Sequence, residues 1–280
     1  MEGTNEATDH SISDGWGKSA ERLLLYFDIM GFKSRMESKT HGQMLKELVE
    51  FKDKWSKGTV QFTLGHNLEY TQFSDTILIV ANGTDDKMFN LITKAACRFM
   101  HKALSEGYAV KGVLSQGTFY FDKSKDLYFG KPLVDAYELY ESVKYYGVVV
   151  HHTAEHTVKE YKSVNNPYTN TPIRLENGEV SHYHLAWNLL QRNLSPGDIT
   201  SKCLKWLDNI EATVSGAPRM YIDNTRKVLC NDRKWRKSQQ KSLENSSSQK
   251  DAPKQGAMKG NIKTRKTHNP RNNEVTLPAK

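Results

Sequence analysis

Residues 22–29 read Arg-Leu-Leu-Leu-Tyr-Phe-Asp-Ile and lead into Met30-Gly31-Phe32. A continuous apolar run that stops at an acidic residue is the pattern of a central strand buried on both faces, with its end opening on a polar site. Working outward, apolar residues Met44, Leu45, Leu48, Val49, Phe51 and Trp55 recur at helical spacing between Gly42 and Lys57. Residues 60–72 and 76–81 read as two strands of a hairpin, with Ser74-Asp75 where one gives way to the other. Asp85 or Asp86 caps a helix running to about Glu106, and Gly107 stops it. Residues 108–115 form a further strand, and 117–129 a strand or ribbon broken by the charged turn at 122–126. Gly130-Lys131-Pro132 then opens a helix to about Lys144, followed by a strand at 147–151. The order is β-α-β-β-α-β with additions. It predicts an α+β fold built on a ferredoxin-like sheet with helices on one face.

Composition sets the organisation around that core. The 280 residues carry a formal charge of +8, but residues 237–280 hold ten Lys or Arg against three Asp or Glu, so +7 of it lies in this tail. The tail has no aromatic residue and few apolar ones, which predicts disorder and at most weak contact with nucleic acid or an anionic membrane. Residues 1–20 are polar and read as a flexible N-terminus without the apolar run of a signal peptide, which predicts a cytoplasmic protein. No stretch approaches the ~20 apolar residues of a membrane span. Cys97, Cys203 and Cys230 form no CxxC pair, so neither disulfides nor structural zinc are expected. The expected division is a catalytic domain at 21–165, a helical extension at 166–236 and the basic tail at 237–280. Within the extension, a loop rich in Asn, Pro and Thr precedes helices at 183–192, 199–214 and 219–235, and Trp187, Trp206 and Trp235 serve as packing anchors.

The chemistry-bearing pair is Asp28 and Asp75. In a βαββαβ sheet the first and third strands are antiparallel neighbours, so the end of one, at Asp28, lies beside the start of the other, at Asp75. Either Asp alone reads as a turn residue before it reads as a ligand, and it is the topology linking the two that reverses this. Two carboxylates held close repel unless they are protonated or bridged by cations, so a divalent metal pair is expected, with the Ile29 carbonyl as a further ligand. Such a site polarises an α-phosphate and neutralises a leaving pyrophosphate. Gly31 and Phe32 place exposed amides where a triphosphate would lie. Tyr26 shares the face of Asp28 and either stacks on a base or fills the core. Lys111, in an otherwise apolar strand, reaches a phosphate or snorkels to water. His151, His152 and His156 lack partners at zinc-ligand spacing.

The run Tyr26-Phe27-Asp28-Ile29-Met30-Gly31-Phe32, with Phe73-Ser74-Asp75 and the glycine-headed helix from Phe129-Gly130 to Tyr137, resembles the class III nucleotidyl cyclases over about half of the chain. The resemblance implies a catalytic domain binding two Mn²⁺, with Mg²⁺ as a substitute, on Asp28, Asp75 and Ile29. It also implies a homodimer with sites completed across the interface. Val134 and Glu138 stand where that family has a ribose-holding Asn and a transition-state Arg, a departure from the purine cyclases. On this ground the chain resembles the pyrimidine cyclases of the Pycsar antiphage system, which make cyclic CMP or cyclic UMP as a second messenger. In that branch Tyr26 contacts the nucleotide. Thr76 stands where some uridylate members carry Arg, and a Thr hydroxyl accepts from the cytosine amino group, which tilts the expectation to CTP over UTP. The competing readings are a palm-type nucleotidyltransferase and a non-catalytic nucleotide sensor.

Overall fold

The computed structural model describes residues 16–63, 67–161, 166–189 and 196–250. Its elements follow the chain: β1 (Ser19–Ile29), α1 (Phe32–Ser38), α2 (His41–Thr63), β2 (Leu68–Phe73), β3 (Thr76–Ala81), α3 (Asp86–Ser105), β4 (Val110–Asp122), β5 (Leu127–Gly130), α4 (Lys131–Ser142), β6 (Val148–Val150), α5 (His152–Glu160), β7 (Tyr168–Leu175) and β8 (Gly178–Leu185), then a 3₁₀ turn at Trp187–Leu189, α6 (Pro196–Glu211) and α7 (Ala217–Lys250). The chain divides into units 1–240 and 241–280. Everything below concerns the first; the described part of the second, 241–250, is helical. No helix among the described residues is long and apolar enough to cross a membrane.

One sheet organises the first unit, in the order β2-β3-β1-β4-β6-β8-β7, with β5 paired to β4. The first four strands, 2-3-1-4 with β1 antiparallel to both β3 and β4, have the ferredoxin-like arrangement that the βαββαβ order predicts. The sheet continues past them, with β6 parallel to β4 and β8 antiparallel to β6.

Alternation along β1 divides the core. Leu23, Leu25, Phe27 and Ile29 face one cluster with Phe51 and Trp55 of α2 and Phe89, Ile92 and Phe99 of α3. Phe27 lies 4.5 Å from the Phe99 ring, and Trp55 meets Phe99 edge-on. Leu24 and Tyr26 face the opposite cluster, closed by Ala136 and Tyr140 of α4 with Phe119 and Phe121 of β4. Helices therefore cover both faces, not one: α4 follows β5, which returns along β4, and packs on the second face. Close approach is built in at Gly112, the register partner of Phe27, where a Cβ would stand 2.5 Å from the Tyr26 carbonyl and 2.6 Å from the Phe27 ring.

Several boundaries depart from expectation. The strand expected at 60–72 begins at Leu68, because α2 runs on to Thr63; the nucleated helix overrides the β-branched run at 59–63. Leu45 and Val49 are exposed on α2. The strand and ribbon expected at 108–115 and 117–129 are one long strand, β4, with β5 returning along it. The N-terminal segment is not free up to residue 20: β1 starts at Ser19, and Trp16 packs on Phe121 with centroids 5.2 Å apart. Residues 1–15 lie outside the described residues.

The segment 166–236 is not purely helical. Its first part is the β7–β8 hairpin, which takes the place of the expected loop and part of the helix at 183–192. Its helices close the α2–α3 core cluster through Ile199, Cys203 and Leu207 of α6 and Ile222 and Leu229 of α7. Trp187 is fully buried there, while Trp206 and Trp235 are half-buried. A buried carboxylate ties α7 to the hairpin: Asp232 accepts from Thr169 and Thr171 at 3.0 Å and lies 2.9 Å from His184 Nε2. Helix α7 continues through Lys250, so 237–250 are helical rather than disordered; the rest of the expected tail lies outside the described residues.

The Gly112 contact generates a prediction. Gly112→Ala forces the Phe27 ring or the β1 backbone to move and lowers unfolding free energy by about 1–3 kcal/mol, the usual range for overpacking. Urea denaturation followed by circular dichroism checks this; an unchanged midpoint would show that the strand pair yields without cost.

Candidate active site

The site stands on three adjacent strands at one end of the second face. Asp28 pairs with Thr76 on β3 and with Lys111 on β4, so the three side chains share a rung and a face. The β2–β3 hairpin closes through two residues, Ser74 and Asp75, between the paired Phe73 and Thr76, with Ser74 at φ 55°. The Ile29 amide donates to the Asp75 carbonyl at 3.1 Å, which fastens this turn to the end of β1. Asp28 and Asp75 are thus brought into electrostatic reach of each other.

Asp28 is half-buried and receives one hydrogen bond among the described residues, from the Tyr140 hydroxyl to Oδ2 at 2.6 Å. Loss of hydration pushes its carboxyl up to about 6 from the ordinary 3.8; Asp75 adds to the rise, and the Tyr140 hydrogen bond opposes it. Neither aspartate forms an ion pair among the described residues, and the Asp75 carboxylate has no hydrogen bond there. Two carboxylates in electrostatic reach of each other, neither ion-paired among the described residues, fit a divalent ion. Among the described residues no group of three or more His, Cys, Asp or Glu is arranged to hold a metal, so any such ion needs backbone or substrate oxygens as well.

Tyr26 lies where expected, on the face of Asp28, but its ring is 6% exposed within an aromatic cluster. It meets Tyr140 edge-on at 5.2 Å and Tyr137 edge-on at 6.1 Å, and its hydroxyl bonds to Thr76. Burial holds this phenol up at about 12. Tyr137, 51% exposed, is the member of the cluster that meets solvent. Sequence reading missed Tyr137 and Tyr140; the signal was two tyrosines three apart on the helix opened by Gly130.

Lys111 neither meets a phosphate-facing surface nor snorkels to water. It is 4% exposed and donates to the carbonyls of Tyr140 at 3.1 Å and Val143 at 3.2 Å, with its ammonium 3.9 Å above the Tyr140 ring. The ammonium thus sits at the C-terminal end of α4, where a cation is favoured, and shares the Tyr140 carbonyl with the Val143 amide. Burial lowers its pKa to about 8.

After Asp28 the backbone turns at Gly31, at φ 74° and exposed, with no atom within 4 Å of where a Cβ would stand. Phe32 begins α1 and is half-buried. Arg35 secures this turn: it donates to Glu47 and to the Gly107 carbonyl, both at 2.6 Å, and lies over the Tyr108 ring. Val134 and Glu138 lie on the exposed side of α4, away from Asp28.

No protein-family model matches the sequence, and no curated protein matches it. Among solved structures, the chain is similar to the catalytic core of a rhodopsin-guanylyl cyclase with converted specificity, in complex with ATPαS. That likeness has a TM-score of 0.47 and 13% identity over 60% of this chain and 96% of that one. The guanylate cyclase domain of RhGC from Catenaria anguillulae gives 0.44 and 12%, over 60% and 97%. The adenylyl cyclase CyaB from P. aeruginosa gives 0.43 and 11%, over 64% and 98%.

The raised Asp28 carboxyl makes stability depend on pH. The folded chain holds a proton that the unfolded chain has released between about pH 4 and pH 6, so stability falls as pH rises through that window. Asp28→Asn keeps an acceptor for Tyr140 and does not titrate. In EDTA, its stability relative to the native chain should grow by roughly 1–2 kcal/mol from pH 4 to pH 6, allowing for solvent screening. Parallel stability curves across that range would show that Asp28 ionises as freely as in water.

Proposed function

We propose that this chain is a nucleotidyl cyclase that closes a nucleoside triphosphate into its 3′,5′-cyclic monophosphate and releases pyrophosphate. The observation that carries the reading is the pairing of β1 with β3, which brings Asp28 and Asp75 into electrostatic reach with neither ion-paired among the described residues. Divalent cations, Mn²⁺ with Mg²⁺ as a substitute, held by Asp28, Asp75 and the Ile29 carbonyl would neutralise the triphosphate and lower the pKa of the attacking hydroxyl. The chain's own residues bind and orient. Gly31, open and without a side chain, lets phosphate oxygens approach the backbone after β1, beside Phe32. In the reaction the 3′-oxygen bonds to the α-phosphorus, the bond to the β-phosphate oxygen breaks, and the hydroxyl proton is released.

We take the substrate to be a pyrimidine triphosphate, CTP before UTP. Thr76 stands beside Tyr26 on the site face, and its hydroxyl is able to accept from the cytosine amino group. Tyr137 offers the base an exposed aromatic ring, and Tyr26 backs it edge-on from within the cluster. We also infer a homodimer. Phe129, Val134 and Tyr137 are large apolar side chains exposed around α4, and a second copy covering them would bring further groups to the site, answering for Val134 and Glu138. The cyclic product would serve as a second messenger in phage defence, a role that follows from the sequence resemblance.

Incubating the purified chain with ATP, GTP, CTP or UTP and Mn²⁺, and identifying the products by chromatography, tests the activity. Cyclic CMP or cyclic UMP is expected from the native chain and none from Asp28→Ala or Asp75→Ala; turnover surviving either change sinks the two-carboxylate reading, and absence of any product favours a nucleotide sensor. For the dimer, Tyr137→Asp with Phe129→Asp should shift the sedimenting species from dimer to monomer. A native chain that sediments as a monomer at all concentrations rules the dimer out.

A further inference from the structure

We propose that Tyr140 is the positioning residue of Asp28, and that Lys111 and the first turns of α7 hold it in place. The inference rests on the cyclase reading, because it assigns Tyr140 a task only if Asp28 receives a cation. Among the described residues the Tyr140 hydroxyl is the only hydrogen-bond donor to Asp28, and 2.6 Å is the length of a charge-assisted O–H···O⁻ bond. It engages Oδ2 and leaves Oδ1 without a hydrogen bond there. Hydrogen bonds of this kind orient a ligating carboxylate and are a large part of what makes a metal site bind.

Tyr140 lies on α4, not on the sheet, so its grip depends on where α4 sits along the strands. Three sets of bonds fix that. At the N-terminal end, Ser115 Oγ donates to the Pro132 carbonyl at 2.8 Å. At the C-terminal end, Lys111 holds the carbonyls of Tyr140 and Val143. Lys111 is also the β4 partner of Asp28, so the carboxylate and the anchor of its donor belong to one rung of the sheet. Beyond the helix, α7 clasps the connection to β6: Asn224 donates to the Lys144 carbonyl at 2.9 Å, and Thr225 Oγ1 accepts from the Tyr146 amide at 2.8 Å. Tyr221 stacks on Tyr146, and its ring lies 5.7 Å from the Lys111 ammonium. A chain of direct contacts thus runs from α7 to Asp28.

A purely packing role for Tyr140 is separable, since its ring lies in the apolar cluster while its hydroxyl, among the described residues, meets only Asp28 and, at 3.5 Å, Met30 Sδ. Tyr140→Phe keeps the ring and deletes the hydroxyl. Mn²⁺ binding to the full chain without nucleotide is read from the electron paramagnetic resonance signal of the free ion, with thermal unfolding in EDTA as the control for folding. The variant should unfold like the native chain yet bind Mn²⁺ about ten- to a hundredfold more weakly. Half-saturating Mn²⁺ in turnover should rise by the same factor, with kcat recovering as Mn²⁺ is raised, a rescue that a partly unfolded enzyme does not show. Lys111→Met should act in the same direction, and the double variant should be no weaker than the weaker single; if Lys111→Met does not fold, Asn224→Ala replaces it. Native Mn²⁺ affinity in Tyr140→Phe overturns this inference while leaving the cyclase reading intact. A native chain that binds no more Mn²⁺ than the Asp28→Ala, Asp75→Ala double variant overturns both.

Discussion

The register between β1 and β3 is the constraint on which the site depends. Side chains alternate along a strand, so a slip of one residue would send Asp28 into the core and Phe27 into the site. What prevents the slip lies on the opposite face. Phe27 and Ile29 are sealed in the cluster with α2 and α3, and Phe27 fills the space over Gly112 that any other residue would occupy. The position of a half-buried carboxylate is therefore fixed by apolar packing on the far side of the sheet. The bond from the Ile29 amide to the Asp75 carbonyl then carries that register into the hairpin turn.

Half-burying Asp28 costs free energy, and the chain does little to offset it. A lysine is available on the same rung, yet Lys111 turns to the end of α4 instead of pairing with the carboxylate. Among the described residues only a neutral hydroxyl donates to Asp28. A Lys111–Asp28 ion pair would hold the carboxylate ionised and leave it no charge to offer. The observed arrangement keeps an oriented carboxylate, without an ion pair among the described residues, in electrostatic reach of a second one, which makes sense where an incoming cation supplies further charge.

Legibility in the sequence follows the range of the interactions. The buried strand ending at Asp28, the hairpin turn at Ser74-Asp75, the Asp85 cap and the glycine before α4 are local signals, and each matches an element. The β7–β8 hairpin also carried a local signal, the two-residue turn Glu176-Asn177 followed by Gly178, but Asn, Pro and Thr on the strands masked it as loop. The course of α7 beyond residue 237 was illegible for another reason: a polar segment can prolong an existing helix without any apolar period to announce it. At the site, the two aspartates follow from topology, whereas Tyr140 touches Asp28 across 112 positions of sequence. That contact depends on which face α4 turns to the sheet, and the apolar pattern of a short helix leaves several faces open.

The two faces of α4 divide its work. The inner one carries Ala136 and Tyr140 into the cluster beside Asp28 and is locked at both ends, by Ser115 and by Lys111. The outer one carries Val134 and Glu138 to solvent, the two positions at which the family resemblance expects an Asn and an Arg. Asp28 instead meets α4 through Tyr140 on the inner face. Their replacement by Val and Glu therefore leaves the carboxylate pair and its tyrosine untouched. It alters instead what α4 presents outward, so under the proposed function the change bears on the half of the site that a second copy would complete.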